Sequence, residues 1–203
     1  MKTSTTAAPQ NVVLTNEEAR LADPARNRDD YLTFNREVQQ YAHAKIMDVG
    51  PAVLYEIKNG QRYVVLNHDT ERVDYYMRWA ERRILGKPVT FQSLVWSDRN
   101  VGYLRGFAGD IFFSRILDRT GAGASDRKQT LDGRQFWFGL IRRALRDHLY
   151  VFYTDQLKQT VLRITDFNEV MPLEPIIWRD GNDGQAQAIV IAKTELWRGI
   201  VVL

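Results

Sequence analysis

Residues 53–91, VLYEIKNGQRYVVLNHDTERVDYYMRWAERRILGKPVTF, carry the strongest signals for the fold of this chain. Two apolar segments, residues 53–57 and 63–66, flank the dipeptide Asn59-Gly60. Asn-Gly between apolar segments is the strongest short signal for a β-hairpin. The sequence therefore predicts two antiparallel strands at the start of this stretch.

The second half of the stretch predicts a helix followed by a strand. Asp69 or Thr70 is a suitable N-cap, and apolar residues then recur at helical spacing as far as Ile84. Gly86 is a suitable helix stop, and Pro88 marks the start of a strand over residues 89–96. The predicted order of elements is β-β-α-β.

The turn that joins the second strand to the predicted helix contains titratable and cationic side chains. Its sequence, residues 67–72, is Asn-His-Asp-Thr-Glu-Arg. The first backbone N–H groups of a helix have no intrahelical partners, and the helix dipole favours an anion beside them. This turn is therefore the first place to expect a functional site.

The arrangement resembles the ParB/sulfiredoxin superfamily, in which a strand leads into a Gly-x-x-Arg turn at a helix start and the next strand often begins with Pro-Val. The matching residues here are Asp69-Thr70-Glu71-Arg72, then Pro88-Val89, within about 40 of the 203 residues. Asp69 stands in the place of the motif glycine. The resemblance implies a ParB/sulfiredoxin-like β-β-α-β core with additional helices and C-terminal strands, with Arg72 as the motif arginine and Glu71 beside it.

Within that superfamily the chain resembles the plasmid fertility-inhibition proteins of the oncogenic-suppression type. This resemblance implies nucleotide hydrolysis, with ATP as a candidate substrate, and DNA cleavage directed at a strand in conjugative transfer. It also implies partners among conjugation or type IV secretion proteins.

Four side chains of the turn have the chemistry that phosphodiester hydrolysis requires. His68 is a candidate general base, Asp69 and Glu71 are candidate ligands of Mg²⁺, and Arg72 is a candidate phosphate clamp. A structural role is the alternative. His68 and Asp69 would then cap the helix, while Glu71 and Arg72 would form exposed ion pairs that contribute little to stability.

Composition limits the remaining classes of site. The chain has no cysteine and three histidines, which excludes disulfides and thiolate zinc sites and leaves carboxylates as the ligands of any metal. A polar amino terminus and the lack of a long apolar run predict a cytoplasmic protein without membrane insertion, and the resemblance to plasmid proteins implies a bacterial one. We expect a disordered tail over residues 1–11 and a single α/β domain over residues 12–203.

Arginine outnumbers lysine by 21 to 7, and residues 99–148 contain ten basic and five acidic side chains. Arginine binds phosphate bidentately and stacks on bases, so this segment is a candidate interface for single-stranded DNA. The alternatives are that its aromatic residues form core and its arginines are surface charges. The candidate binding residues are Arg134, Trp137, Arg142, Arg143 and Arg146.

The rest of the chain predicts an α+β (mixed α/β) class. Helices are predicted over residues 31–47, 102–119 and 132–148, with a loop over residues 120–129. Strands are predicted over residues 150–153, 161–164, 176–178, 188–191 and 200–203.

Two main hypotheses for function follow. The first is a DNA-directed, nucleotide- or Mg-dependent hydrolase (ATPase or nuclease) of a mobile element that inhibits conjugation. The second is a non-enzymatic inhibitor or immunity-type module that binds a conjugation or secretion protein, with residues 200–203 added as a strand to another sheet. A toxin domain is a third possibility that no motif supports.

Overall fold

The structure, a computed structural model, describes residues 16–40, 45–57, 61–125, 131–178 and 187–198. It confirms the predicted α+β class, because these residues form a nine-stranded mixed sheet with helices packed against it. None of the described helices combines the length and the apolar character needed to cross a membrane.

The elements of the described ranges are as follows. The strands are β1 (Lys45–Val49), β2 (Ala52–Ile57), β3 (Arg62–Asn67), β4 (Arg72–Ile84), β5 (Lys87–Ser97), β6 (Ala122–Ala124), β7 (Tyr150–Asp155), β8 (Thr160–Ile164) and β9 (Gln187–Ala192). The helices are α1 (Asn16–Ala22), α2 (Pro24–Gln40), α3 (Phe107–Ile111), α4 (Leu117–Thr120), α5 (Leu131–Arg146) and α6 (Glu174–Ile177). A π-helical segment, Phe112–Ile116, joins α3 to α4.

The predicted helix after residue 69 is wrong, because Arg72–Ile84 forms the 13-residue strand β4. This strand pairs antiparallel with β3 on one side and with β5 on the other. Its residues from Val73 to Met77 are all buried, since both faces of the sheet are covered here, so the strand lacks the polar-apolar alternation of a half-exposed strand. An antiparallel meander of β1 to β5 replaces the predicted β-β-α-β core.

The sheet has two antiparallel halves joined by one short parallel contact. Strands β1 to β5 form the first half, and β6, β9, β7 and β8, in that spatial order, form the second. The contact pairs Thr90 with Gly123 and Phe91 with Ala124, and it is the one parallel pairing among the described strands. The chain crosses from β5 to β6 through α3, the π segment and α4, as a parallel neighbour requires.

The two faces of the sheet are covered differently. On one face, the helices from α3 to α6 cover a continuous core that includes Met77 of the first half and Ile189 of the second. On the other face, α2 covers part of the first half and Trp197 packs on the second. Successive side chains of a strand point to opposite faces of the sheet. Alternate residues therefore pack on the α2 face and on the α5 face.

Helix α2 differs from its prediction at both ends. Asp23 caps it, because its carboxylate accepts hydrogen bonds from the N–H groups of Ala25 at 3.0 Å and Arg26 at 3.5 Å. Pro24 occupies the first turn, where its missing N–H costs nothing. The helix ends at Gln40, and the residues predicted to finish it are partly strand β1.

Most other predicted elements are confirmed. The hairpin of β2 and β3 and the strands β5, β7, β8 and β9 lie where they were predicted, as do the helices near residues 107–120 and 131–146. The predicted strand over residues 176–178 is wrong, because Pro175 lies in the first turn of the short helix α6. The predicted loop over residues 120–129 contains β6. The predictions for residues 1–11 and 200–203 lie outside the described residues.

Gly123 allows the π segment to contact the backbone of β6. A Cβ atom at this position would lie 2.6 Å from Cζ and 2.7 Å from Cε2 of the Phe112 ring. Phe112 is fully buried, and Trp137 packs edge-on against it at 5.3 Å between centroids, so the ring has little room to move. The parallel contact between the two halves therefore depends on a residue without a side chain.

We expect Gly123→Ala to lower the free energy of unfolding by about 1–3 kcal/mol, because an added methyl group overpacks a closed core. Urea unfolding measures this change. Gly139→Ala in α5 is the matched control, since nothing lies within 4 Å of its added Cβ, and it should be neutral or stabilising by up to about 1 kcal/mol. Equal stability of the two variants would contradict the close contact.

Candidate functional site

The predicted site at residues 67–72 is a turn between two antiparallel strands and not a helix start. β3 ends at Asn67 and β4 begins at Arg72. The buried Asn67 side chain accepts hydrogen bonds from the backbone N–H groups of Asp69 and Thr70, both at 3.1 Å. Two N–H groups of the turn are therefore already used, and no helix dipole is present to attract an anion.

His68 is held between two tyrosines from different elements. Its Nδ1 lies 3.0 Å from the hydroxyl of Tyr31 on α2, and its Nε2 lies 2.9 Å from the hydroxyl of Tyr55 on β2. Burial raises the pKa of both hydroxyl groups above 10.0, so both stay protonated at neutral pH. Because both ring nitrogens have partners, His68 links α2 to the sheet and has no free nitrogen to activate a water.

The other predicted catalytic residues do not converge on His68. Glu71 forms an ion pair with Arg28 of α2. Arg72 donates to the Oδ2 atom of Asp98 at 3.0 Å. The Asp69 side chain is exposed. His68, Glu71 and Arg72 therefore each contact different partners, and Asp69 points to solvent, so the four side chains do not form one site.

The predicted Mg²⁺ ligands Asp69 and Glu71 lie in a turn where Glu71 is engaged by a cation. Mg²⁺ requires octahedral oxygen coordination, and the Glu71 carboxylate is already bonded to Arg28. No group of three or more His, Cys, Asp or Glu side chains that could hold a metal ion occurs in the described part of the chain. Binding of Mg²⁺ therefore stays a prediction without geometric support.

The predicted stacking role of Trp137 is wrong. Its side chain is 1% exposed and packs in the core under α5, so a base cannot reach its ring. Arg134 is also engaged within the protein: it donates to the carbonyl oxygen of Trp178 at 2.9 Å and pairs with Glu174 at 3.5 Å.

The predicted basic ridge on α5 exists, but its positive charge is partly neutralised. Arg143 pairs with Asp110 at 2.7 Å, and Arg146 pairs with Asp147 at 3.1 Å. Arg142 is exposed and lies over the ring of Phe167 at 4.0 Å from the centroid. These contacts leave a weaker attraction for a phosphate backbone than the sequence indicated.

A buried polar cluster, which the sequence analysis missed, lies where β5 ends. Asp74 on β4 is 2% exposed and accepts a hydrogen bond from the Tyr103 hydroxyl. Burial, helped by this bond, raises the pKa of Tyr103, so the hydroxyl remains a donor. Asp98 accepts from Arg72 and from the N–H of Asn100 at 2.9 Å. The cluster fixes the loop after β5 to the sheet.

Strand β5 has a free edge over its second half. Its pairing with β6 ends at Phe91, whereas its pairing with β4 continues to Ser97. Among the described residues, no strand lies beside residues 92–97 on the β6 side. After β6, Ser125 donates its N–H to Ile189 of β9 at 2.9 Å, so the chain follows β9 there and not β5.

A bulge lies at the point where the pairing stops. Arg78 pairs with Leu94 and Trp79 pairs with Gln92, which leaves Ser93 as the extra residue on β5. A bulge bends its strand and increases the local twist. We infer that the bulge turns the second half of β5 away from β6, which leaves the edge open.

The free edge presents backbone groups at the spacing of a strand. The N–H of Asp98 donates to the backbone of β4 at 3.0 Å. Because alternate residues of an antiparallel strand direct their N–H and C=O groups to the same side, Leu94 and Trp96 face β4 while Val95 and Ser97 face the free edge. Two sets of backbone groups with no described strand opposite them therefore lie about 6.6 Å apart along the edge.

Two further features border this edge. Arg99, after β5, forms an ion pair with Asp132 at the start of α5 and so spans its far end. At the near end, Gln92 is 3% exposed, its amide nitrogen lies 2.8 Å from the Met77 sulfur, and its Oε1 atom is buried without a hydrogen-bond partner.

Comparisons with protein-family models, with curated proteins and with solved structures found no match for this chain. A functional proposal therefore rests on the geometry of its own residues.

One sequence signal marks the free edge. Residues 91–97, Phe-Gln-Ser-Leu-Val-Trp-Ser, contain no charged side chain, although 26% of the whole chain is charged. A charge-free β-prone run is typical of a strand that is paired on both sides. The sequence alone shows the run but not that one side of it lacks a partner.

The turn residues should affect stability rather than hydrolysis. We expect Arg72→Ala to lower the free energy of unfolding by about 1–2 kcal/mol, because it leaves the largely buried Asp98 carboxylate without its cation. Glu71→Ala removes a pair whose side chains are 65% and 45% exposed, so its effect should stay below about 0.5 kcal/mol. Thermal unfolding measures both changes. Unchanged stability together with loss of a measured DNA-cleaving activity would instead assign the turn to catalysis.

Proposed function

We propose that the protein is a binding domain for an extended chain that carries amide groups and that adds to the sheet beside β5. Within the described ranges, no strand lies on the β6 side of β5 beyond their parallel contact, and this observation supports the proposal. Main-chain hydrogen bonds of this kind supply affinity in strand-addition complexes, and neighbouring side chains supply specificity.

The outer edges of the sheet are less suitable for strand addition. β1 has five residues, a register shift after Lys45, and exposed charges at Lys45 and Asp48. β8 also has five residues and carries the exposed Arg163. Short length, bulges and charge are the usual features that keep an edge from pairing. The edge of β5 also contains a bulge, at Ser93, but its residues 93–97 are half-buried and uncharged.

Charges near the end of β5 favour an anionic group on the ligand. Arg99 and Arg105 lie in the loop that follows the edge, and both are exposed. The pair between Arg99 and Asp132 is 80% and 57% exposed, so it holds the cation weakly. Two ligands share the required chemistry: an acidic peptide segment, and a phosphate-bearing coenzyme with an amide-containing arm, such as coenzyme A.

This proposal agrees in kind with the second sequence hypothesis, a module that binds a partner by strand addition. It differs in place, because residues 200–203 lie outside the described residues and the proposed edge is on β5. The hydrolase hypothesis stays a prediction, and the separate contacts of His68, Glu71 and Arg72 give it no support.

Amide hydrogen exchange tests the free edge directly. In the protein alone, the N–H groups of Val95 and Ser97 should exchange much faster than those of Leu94 and Trp96, because the latter two bond to β4. Residue-resolved exchange by NMR measures this difference. Slow exchange at all four positions would show that the edge is already paired, and the proposal would be wrong.

A second experiment separates the two ligands. Coenzyme A and an acetylated hexapeptide of alternating Thr and Val that ends in two Asp residues are added in turn, and protection of Val95 and Ser97 identifies which one binds. Ser97→Pro should abolish the protection, because proline has no N–H to offer, while Ser97→Ala should bind like the unmodified chain. Protection by neither probe, or equal binding by the proline variant, would contradict the proposal.

A further inference from the structure

A row of cationic side chains lies on the α2 face of the neighbouring strands β3, β4 and β5. We call this row the basic strip, and it consists of Arg62, Arg78, Arg82 and Lys87. The guanidinium of Arg62 lies over the Phe34 ring of α2, 5.2 Å from its centroid, which places Arg62 on this face. Arg78 is the register partner of Arg62, so its side chain points to the same face.

The rest of the basic strip continues along the β4–β5 hairpin. Arg82 lies over the ring of Phe91 at 5.5 Å from the centroid, and Phe91 belongs to the second core cluster of the α2 face. Lys87 is the register partner of Ile84, which belongs to the same cluster. Arg78 and Arg82 are four residues apart on one strand, a distance of about 13 Å. The charges are therefore spread along a line.

The hairpin end of the basic strip carries two exposed positive charges. Arg82 and Lys87 form no ion pair within the part of the chain that the structure describes. At the other end, Glu37 pairs with Arg62 at 2.7 Å. Arg62 and Arg78 lie directly opposite each other, and like charges in this position repel. A surface with this excess of one sign attracts a chain of the opposite sign.

Apolar side chains border the basic strip on β5. Leu94 is the register partner of Arg78, and Trp96 is the register partner of Tyr76, so both lie on the α2 face. Both side chains are half-buried, so part of each is in contact with solvent. Cations along a line beside an accessible indole ring are the combination that binds single-stranded nucleic acid, because the cations contact phosphates and the bases stack on the ring.

This combination favours a nucleic-acid strand over other polyanions. An acidic peptide could pair with the cations, but it has no bases to stack on Trp96. An anionic bilayer is flat, whereas Arg62 lies beside α2, and a helix about 10 Å across stands above the sheet there. A duplex keeps its bases stacked inside, so it could use the cations but not the indole ring.

We propose that the basic strip binds single-stranded nucleic acid, with phosphates at Arg78, Arg82 and Lys87 and bases against Leu94 and Trp96. The proposal does not rest on the proposed function, because it uses side chains on a face of the sheet, whereas strand addition uses backbone groups at the edge of β5. The two sites adjoin at Trp96, but the hairpin end of the basic strip lies outside the free edge. The basic strip is also distinct from the ridge on α5, which lies on the opposite face.

Fluorescence anisotropy with a labelled oligothymidylate of about 12 nucleotides tests the proposal, since single-strand sites span about 4–16 nucleotides. The double variant Arg82→Gln/Lys87→Gln should weaken binding by about tenfold or more at about 0.1 M salt. It should also lower the magnitude of the slope of log K against log salt by about 1.4, because two phosphate contacts are lost.

The double variant Arg83→Gln/Lys158→Gln is the matched control, because it also removes one arginine and one lysine from exposed positions. Arg83 follows Arg82 on β4, so it points to the opposite face, and Lys158 lies in the turn between β7 and β8. The control should bind like the unmodified chain. An abasic strand of the same length and an oligoglutamate peptide should each bind the unmodified chain more weakly, because both lack bases.

NMR of the unmodified chain keeps the test valid if a variant fails the check of its fold by circular dichroism. The oligonucleotide should shift the backbone amide signals of residues 78–87 and 94–96. Four results would overturn the proposal: no binding at about 50 mM salt, where phosphate contacts are strong; equal binding of the abasic strand or the peptide; an equal loss in the control variant; or shifts confined to other residues.

Discussion

The short parallel contact between β5 and β6 is the constraint on which the rest of this structure depends. Two residue pairs join a five-stranded meander to a four-stranded second half, and Gly123 is one of the four residues involved. Any side chain at Gly123 would meet the Phe112 ring, and that ring belongs to the crossover that makes a parallel neighbour feasible. The contact between β5 and β6 is therefore closely packed against Phe112 but is only two residue pairs long.

Three breaks coincide just beyond this join. The pairing of β5 with β6 ends at Phe91, the bulge falls at Ser93, and the core of the α2 face divides in the same place. Phe91 belongs to the cluster under Trp197, whereas Leu94 and Trp96 pack against the cluster under α2. On the α5 face the core stays continuous across both halves. The core is thus continuous on one face of the sheet and divided on the other face beside this join.

The polar residues of the 67–72 turn have a structural role, because they fasten α2 to the sheet. Asn27 of α2 is fully buried and bonds both backbone groups of Val73, donating to the carbonyl at 2.9 Å and accepting from the N–H at 2.8 Å. The contact of His68 with Tyr31 and the pair of Glu71 with Arg28 fasten the same helix to the same turn. Because these contacts fix α2 over β3 and β4, they also hold the Phe34 ring of α2 against the guanidinium of Arg62 on β3.

The sequence predicted the elements whose signals are local and missed those decided by packing. Asn59-Gly60 predicted the hairpin of β2 and β3, because Asn-Gly is a local turn signal that brings the two flanking segments together. β4 was predicted as a helix because Val73, Tyr76 and Ile84 happen to fit a helical period, and burial on both faces removed the alternation that would have corrected it.

Val, Tyr and Trp in residues 72–84 favour a strand, whereas the apparent helix cap at Asp69 favours a helix. The cap was itself misleading, because the turn is closed by Asn67, whose side chain accepts from two N–H groups in the way a helix cap does. A free edge is harder still to predict from sequence, because it depends on the absence of a neighbouring strand beside β5. The uncharged run from Phe91 to Ser97 would look the same in a strand with two neighbours, so only the register of β6 distinguishes a closed sheet from an open one.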